Sequence, residues 1–403
     1  MSHFKQRIDL FKIKPFRYYV LSCTLAMFGN GLTYIAMTWA ILRTNHEVEV
    51  VAMLMFCFWF PNIILGPLAG VLVDKYSRKK ILLFCNISRA ILLTIFFFLF
   101  KTTPPAYAIY WLATLTGSVL ALYIPAAMTL VRELVTKEQL LYANATVDMA
   151  YELGAVGGMG AAGLIIALTS VQATFLINAI CYAIAAISLA PAHSNRTKGK
   201  SSQHTSFFKD FISGYKYLLS ESDLIVIYAI QMLFFVSYMT APILLAPYAK
   251  SILHTNVTQF GYIEAGMSIG AVIGGIFSPF ICEKFGFIKV MIFETLLCCF
   301  SFYFFSHNIY IPIAVLLYFF VGFSFSAWPI LITAAQDRTN INYQGRVQSL
   351  FSSVSAILIL CFYILLGLVG DNFPIDVLYW VEVSLMSISI VLLLCYKKYH
   401  PTD

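Results

Sequence analysis

An all-α integral membrane protein of twelve transmembrane helices, arranged as two six-helix bundles, is the fold class that this sequence predicts. Three observations carry that prediction. The 403 residues are 60% hydrophobic and only 11% charged, against roughly 25% charged residues in ordinary soluble domains. The apolar residues run continuously for lengths that cross a bilayer, which takes about 20 residues of helix. These runs lack the alternation of β-barrel strands of about 10 residues, so each span must satisfy its backbone hydrogen bonds within a helix.

The runs place spans near residues 18–42, 48–73, 81–100, 106–131, 140–168 and 172–190, then 223–249, 258–282, 287–306, 311–335, 344–370 and 374–396. The first follows Lys5, Arg7, Lys12, Lys14 and Arg17 and is too long for the apolar core of a cleaved signal, so it is expected to remain as an anchor. The longest polar stretch, from Ala192 to Asp223, separates six spans from six. It sets the expected organisation: an N-terminal bundle at 1–190, a cytoplasmic linker at 191–222, and a C-terminal bundle at 223–403. Within the linker, the segment from Phe207 to Leu218 carries apolar residues at helical spacing. That pattern fits a helix lying on the membrane surface or a connector packed on a bundle.

Charge sets the expected orientation. With both termini in the cytoplasm, Arg43, Lys101 and Lys250 fall outside, Arg89 lies within a span, and every other one of the 26 Lys and Arg residues faces the cytoplasm. This obeys the positive-inside rule. The +7 net charge is thus topological, and its scatter over short loops argues against nucleic-acid binding. Nine cysteines read as small buried hydrophobes. No His or Cys spacing resembles a metal site, no phosphate-binding loop occurs, and no nucleophile is paired with a base. Neither a metal, a cofactor nor an enzymatic activity is expected.

The segment from Gly66 through Gly70 and Asp74 to Arg78 and Lys80 is a charged turn between two apolar spans. Gly66 and Gly70 lie one turn apart and offer a smooth face for close helix approach. Asp74, at the rim, is suited to cap a helix of the opposite bundle, and Arg78 to complete such a cytoplasmic lock. The same cations also enforce topology. A weaker copy runs from Gly275 to Glu283 with Lys284, Gly286 and Lys289, which points to duplicated halves of the kind secondary transporters use around a midplane site.

In the fifth span Asn144, Asp148 and Glu152 recur every four residues and form one polar stripe, reaching about 18 Å inward from Leu140. An ionisable group at that depth is a functional candidate by default. Arg89, about nine residues into the third span, is expected to pair with Asp148 or Glu152 or to meet an anionic group of the solute. Glu264, Glu294 and Glu382 complete an acidic interior, which favours protons or cationic amphiphiles. Asp148, Glu152, Glu264 and Arg89 are therefore the expected coupling residues.

The motif around Asp74 resembles the signature of the major facilitator superfamily, with Lys75 and Ser77 where that family has Arg and Gly. Tyr123-Ile-Pro125-Ala-Ala, the stretch from Val135 to Ala145, and Gly345-Arg346-Val347 are similar to its drug and siderophore exporter branch. The glycines Gly154, Gly157, Gly158, Gly160 and Gly163 resemble the family's antiporter motif, with Met159 in place of a proline. The resemblance implies that helices 1, 4, 7 and 10 line a cavity. Asn30, Tyr34, Gln231, Phe235, Tyr238 and Trp328 are then its substrate-facing residues, beside Thr33 and Met37.

The expected function is proton-coupled efflux of an amphiphilic organic solute, drug or siderophore, by alternating access, driven by the proton gradient. Import of a nutrient or siderophore, or movement of lipid, are the alternatives within this fold. The expected setting is a monomer in the bilayer of the cell or inner membrane.

Overall fold

The computed structural model describes residues 9–42, 47–100, 102, 104–136, 139–192, 207–340 and 343–399. Among them twelve spans are long and apolar enough to cross a membrane, and no strand is present. Spans 1 to 6 are Lys14–Ile41, Glu47–Lys75, Arg78–Leu99, Ala106–Leu134, Leu140–Leu168 and Val171–Leu189. Spans 7 to 9 are Ser222–Ser251, Val257–Phe285 and Phe287–Phe305; span 11 is Gln344–Val369 and span 12 Ile375–Tyr399.

Span 10 departs from the single helix expected. It is built from two, Ile311–Phe325 and Ala327–Arg338, which meet at Ser326. Pro329 supplies the reason. It has no N–H to offer the carbonyl four residues earlier, at Phe325, and its ring crowds that turn.

The described residues of Met1–Asn45, Met53–Ser201 and Asn256–Ala265 form one compact unit, and those of His46–Ala52, Ser202–Thr255 and Gly266–Asp403 form a second. In the first, span 1 lies against span 5. A Cβ on Gly158 would overlap the Phe28 carbonyl, and one on Gly31 would come 2.5 Å from the Ala155 carbonyl. Gly117 of span 4 meets the Phe58 carbonyl of span 2 in the same way. In the second unit, Gly266, Gly270 and Gly274 of span 8 face the carbonyls of Val315, Phe319 and Phe323, and Gly322 of span 10 faces that of Met267. Without a solvent-driven hydrophobic effect between helices, such small-residue approaches supply close packing.

The duplicated turn shows why one copy keeps a glycine. Gly286, which starts span 9, has φ 88°, a left-handed conformation that favours glycine. Ser77, at the same place before span 3, is extended at φ −67° and needs none.

The helix Phe207–Ser220 packs on the second unit. Tyr217 stacks on Tyr343 at 4.3 Å and accepts a hydrogen bond from the Asn340 N–H at 3.0 Å, while Leu218 joins a core containing Leu224, Ile227 and Val347. Ile212, Tyr215 and Leu219 remain exposed on its other side. The rest of the expected linker, 193–206, lies outside the described residues, as do Arg43 and Lys101.

Candidate functional site

The charged turn is anchored within its own unit. Arg78, the first residue of span 3, donates to and pairs with Glu133 at the end of span 4, and both side chains are largely shielded. Lys79 donates to the Ala190 carbonyl at 2.5 Å, which ties the turn to the end of span 6. At Gly66 no atom of the described residues lies within 4 Å of the position of a Cβ. Gly70 and Asp74 sit on the helical backbone of span 2; the Asp74 side chain lies outside the described residues.

On span 5, Asn144, Asp148 and Glu152 share one stripe and all three are exposed. Arg89 does not meet them. It is fully buried, with its guanidinium 5.2 Å from the Tyr182 ring centroid and 5.6 Å from that of Tyr123. It donates to the Tyr182 hydroxyl at 3.4 Å and to the Thr116 carbonyl at 3.5 Å. Two aromatic faces and a carbonyl dipole thus replace the carboxylate expected of an intramembrane cation.

Two of the three remaining buried acids, Glu264 and Glu382, accept hydrogen bonds from hydroxyls, and the third lies beside two serines. Tyr34 of span 1 donates to Glu264 Oε1 at 2.8 Å. Glu382 of span 12 accepts from Ser237 and, at 2.6 Å, contacts Thr240 of span 7. Glu294 of span 9 lies beside Ser278 and Ser326, whose hydroxyls are 2.8 Å apart at the break in span 10.

Of the residues expected to face a solute, Phe235 and Trp328 come together, stacked at 5.2 Å between centroids. Tyr238 presents an edge contact to Phe325 at 5.2 Å and stays exposed, while Asn30 is half-buried. Gln231 is fully buried, and neither amide atom has a hydrogen-bond partner among the described residues.

Sequence reasoning missed two polar contacts. Glu133 follows Arg132 at the end of span 4, where a basic residue next to an acid is common. Asp371, in the turn after span 11, accepts from the Val48 and Glu49 N–H groups at 3.0 Å each and so caps the N-terminus of span 2. Glu47 beside them pairs with Lys250 at 2.8 Å. The signal was an acid next to a glycine at a span end, too common a pattern to stand out.

Comparisons with known proteins agree with this architecture. The staphyloferrin A transporter of Staphylococcus aureus is 25% identical over 279 residues, 68% of this chain and 69% of its own length. The multidrug efflux pump Tap of Mycolicibacterium fortuitum is 24% identical over 62% of each chain. The crystal structure of the nucleoside transporter NupG superposes with a TM-score of 0.74 over 96% of this chain and 100% of its own, at 13% identity, a likeness of fold. The family model of the Major Facilitator Superfamily matches residues 19–360 and 227–403. The chain is therefore a member of the Major Facilitator Superfamily, a multi-pass membrane transporter.

Proposed function

We propose that the chain exports an amphiphilic organic solute, of the siderophore or drug class, in exchange for protons by alternating access. The observation that carries this reading is the contact between Tyr34 and Glu264. It joins a residue expected to face the solute directly to a buried carboxyl, so that occupancy of one bears on the other. The stacked Phe235 and Trp328 offer the flat, weakly directional surface that suits an aromatic or amphiphilic solute. The relatives named for staphyloferrin A transport and for multidrug efflux support the solute class.

In this reading Glu264, Asp148 and Glu152 exchange protons, and Asp74 with Arg78 belongs to the cytoplasmic gate. The protein acts in the cell membrane with both termini in the cytoplasm, as a monomer. The deciding experiment compares the compounds retained by cells lacking the protein with those retained by cells expressing it, then follows the retained compound in inverted vesicles under an imposed proton gradient. Accumulation inside the vesicles that stops on collapse of the gradient is expected. Accumulation only in right-side-out vesicles would replace export with import.

A further inference from the structure

Two buried polar links occupy equivalent places in the two halves of the chain. In the first half Asn178 of span 6 donates to the Thr33 hydroxyl of span 1. In the second, Ser237 of span 7 donates to Glu382 of span 12. Each link joins the first and sixth spans of its half, and each covers the same separation of 145 residues. Each hydroxyl residue is followed by a tyrosine, Tyr34 or Tyr238. All four side chains are buried. The difference is chemical: a neutral amide stands where the other half has a carboxyl group.

Counting hydrogens shows what state of Glu382 fits. Thr33 donates its one hydroxyl hydrogen to the Gly29 carbonyl at 3.0 Å, so the Asn178 amide is the donor to Thr33. In the second half the Thr240 hydroxyl lies 2.9 Å from the Val236 carbonyl and 2.6 Å from Glu382 Oε1. A single hydroxyl hydrogen serves one acceptor at a time. Ser237 already gives its hydrogen to Oε2. A proton on Oε1 completes the set: Glu382 donates to Thr240, and Thr240 to Val236, in the donor order of Asn178, Thr33 and Gly29. An ionised Glu382 leaves one short contact without a hydrogen.

The surroundings agree. Among the described residues, the Ser237 and Thr240 hydroxyls of span 7 face the carboxyl. The titratable groups that interact with it there are the Cys298 thiol of span 9 and the Tyr379 hydroxyl one turn earlier on span 12. None is a cation, and a bare carboxylate so placed is costly.

We propose that Glu382 is a proton-binding site, occupied in this conformation, and that Ser237 and Thr240 pass its state to span 7. Immediately beyond this clasp lie Pro242 and Pro247. Pro242 withholds an N–H from the Tyr238 carbonyl, so span 7 is free to bend next to the hydroxyls that read the carboxyl. Departure of the proton from Oε1 turns the Thr240 hydroxyl from the Val236 carbonyl to the carboxylate and opposes a negative charge to the Tyr238 carbonyl freed by Pro242, which shifts the bend of span 7. The role in transport rests on the proton-coupled reading above; the proton itself is measured without transport.

The test is infrared difference spectroscopy of the purified full chain in lipid nanodiscs as pH is stepped. A carboxylic-acid C=O band that is absent from Glu382→Gln and shifted in frequency in Thr240→Val is the expected result. Identical carboxylic-acid bands in the wild type and Glu382→Gln at every pH where both fold would overturn the site. Should Glu382→Gln fail to fold, Ser237→Ala and Thr240→Val decide: an unshifted band in both removes the proposal. In vesicles, Glu382→Gln is expected to lose the pH dependence of transport. Retention of that dependence, with the infrared band assigned, would overturn the link to span 7 alone.

Discussion

Tyr34 donates a hydrogen bond to Glu264 across 2.8 Å, and Glu264 is only 4% exposed. A carboxyl buried that deeply depends on its few donors, and a hydrogen bond to a charged group contributes about 1.5–3 kcal/mol. Tyr34→Phe keeps the ring and removes the donor. It is expected to slow solute export in inverted vesicles roughly tenfold, the rate equivalent of about 1.4 kcal/mol. The Tyr34→Phe, Glu264→Gln double variant should be no slower than Glu264→Gln alone, because the two residues act through one contact. Additive losses would show that they act separately.

The pair of Arg78 and Glu133 predicts a second outcome. Both side chains are largely shielded, at 17% and 6% exposure, and breaking a buried pair from one side costs about 3–5 kcal/mol. Glu133→Ala should lower the thermal midpoint of the purified protein markedly. Arg78→Glu combined with Glu133→Arg should recover part of that loss. Equal destabilisation by the single and exchanged variants would show that the pair contributes nothing beyond its separate charges.

Much of this architecture was legible because membrane burial leaves few choices. Continuous apolar runs can only be helices, so twelve spans could be located to within a few residues. The break at Ser326 does not follow from Pro329 by sequence alone, because a proline inside a span more often kinks than divides it. Partners were harder. Charge alone offers Arg89 a carboxylate or an anionic group of the solute, whereas Tyr123 and Tyr182, on spans 4 and 6, surround it. Spacing along one helix shows which residues share a face but not which helix covers that face. The link between Ser237 and Glu382 is hidden for a related reason: Gly66 and Gly275 stand 209 residues apart, Thr33 and Ser237 only 204, because loops of different length shift the spans of the two halves out of one register.

Arg89 offers a test that separates structure from transport. A buried guanidinium held by two rings, the Tyr182 hydroxyl and a carbonyl carries a desolvation cost, and replacing a buried charge with an apolar side chain of similar volume is often neutral or stabilising by about 1–4 kcal/mol. Arg89→Met is therefore expected to fold with an unchanged or higher thermal midpoint. Arg89→Ala leaves a void between Tyr123 and Tyr182 and should lower it. Arg89→Lys cannot lay a planar cation on both rings and should fall between them. Destabilisation by Arg89→Met as severe as by Arg89→Ala would mean that the charge itself holds these spans together.

The glycines supply the sharpest contrast between what the sequence highlights and what the packing uses. Gly66 opens the segment that leads into the charged turn, yet among the described residues nothing lies within 4 Å of a Cβ placed there, and the same is true of Gly275 in the second copy. Gly117 and Gly322 belong to no conspicuous motif, but a Cβ on either would overlap a backbone carbonyl, that of Phe58 or of Met267. A carbonyl in a helix cannot swing aside as a side chain can, so the helices themselves must separate, and overpacking of this kind costs about 1–3 kcal/mol or more. Gly117→Ala and Gly322→Ala should each lower the thermal midpoint in detergent, whereas Gly66→Ala and Gly275→Ala should leave it unchanged. If Gly66→Ala nevertheless slows transport, the loss lies in a step where span 2 is approached more closely, which would give the motif glycine a role in the cycle and none in the stability of this state.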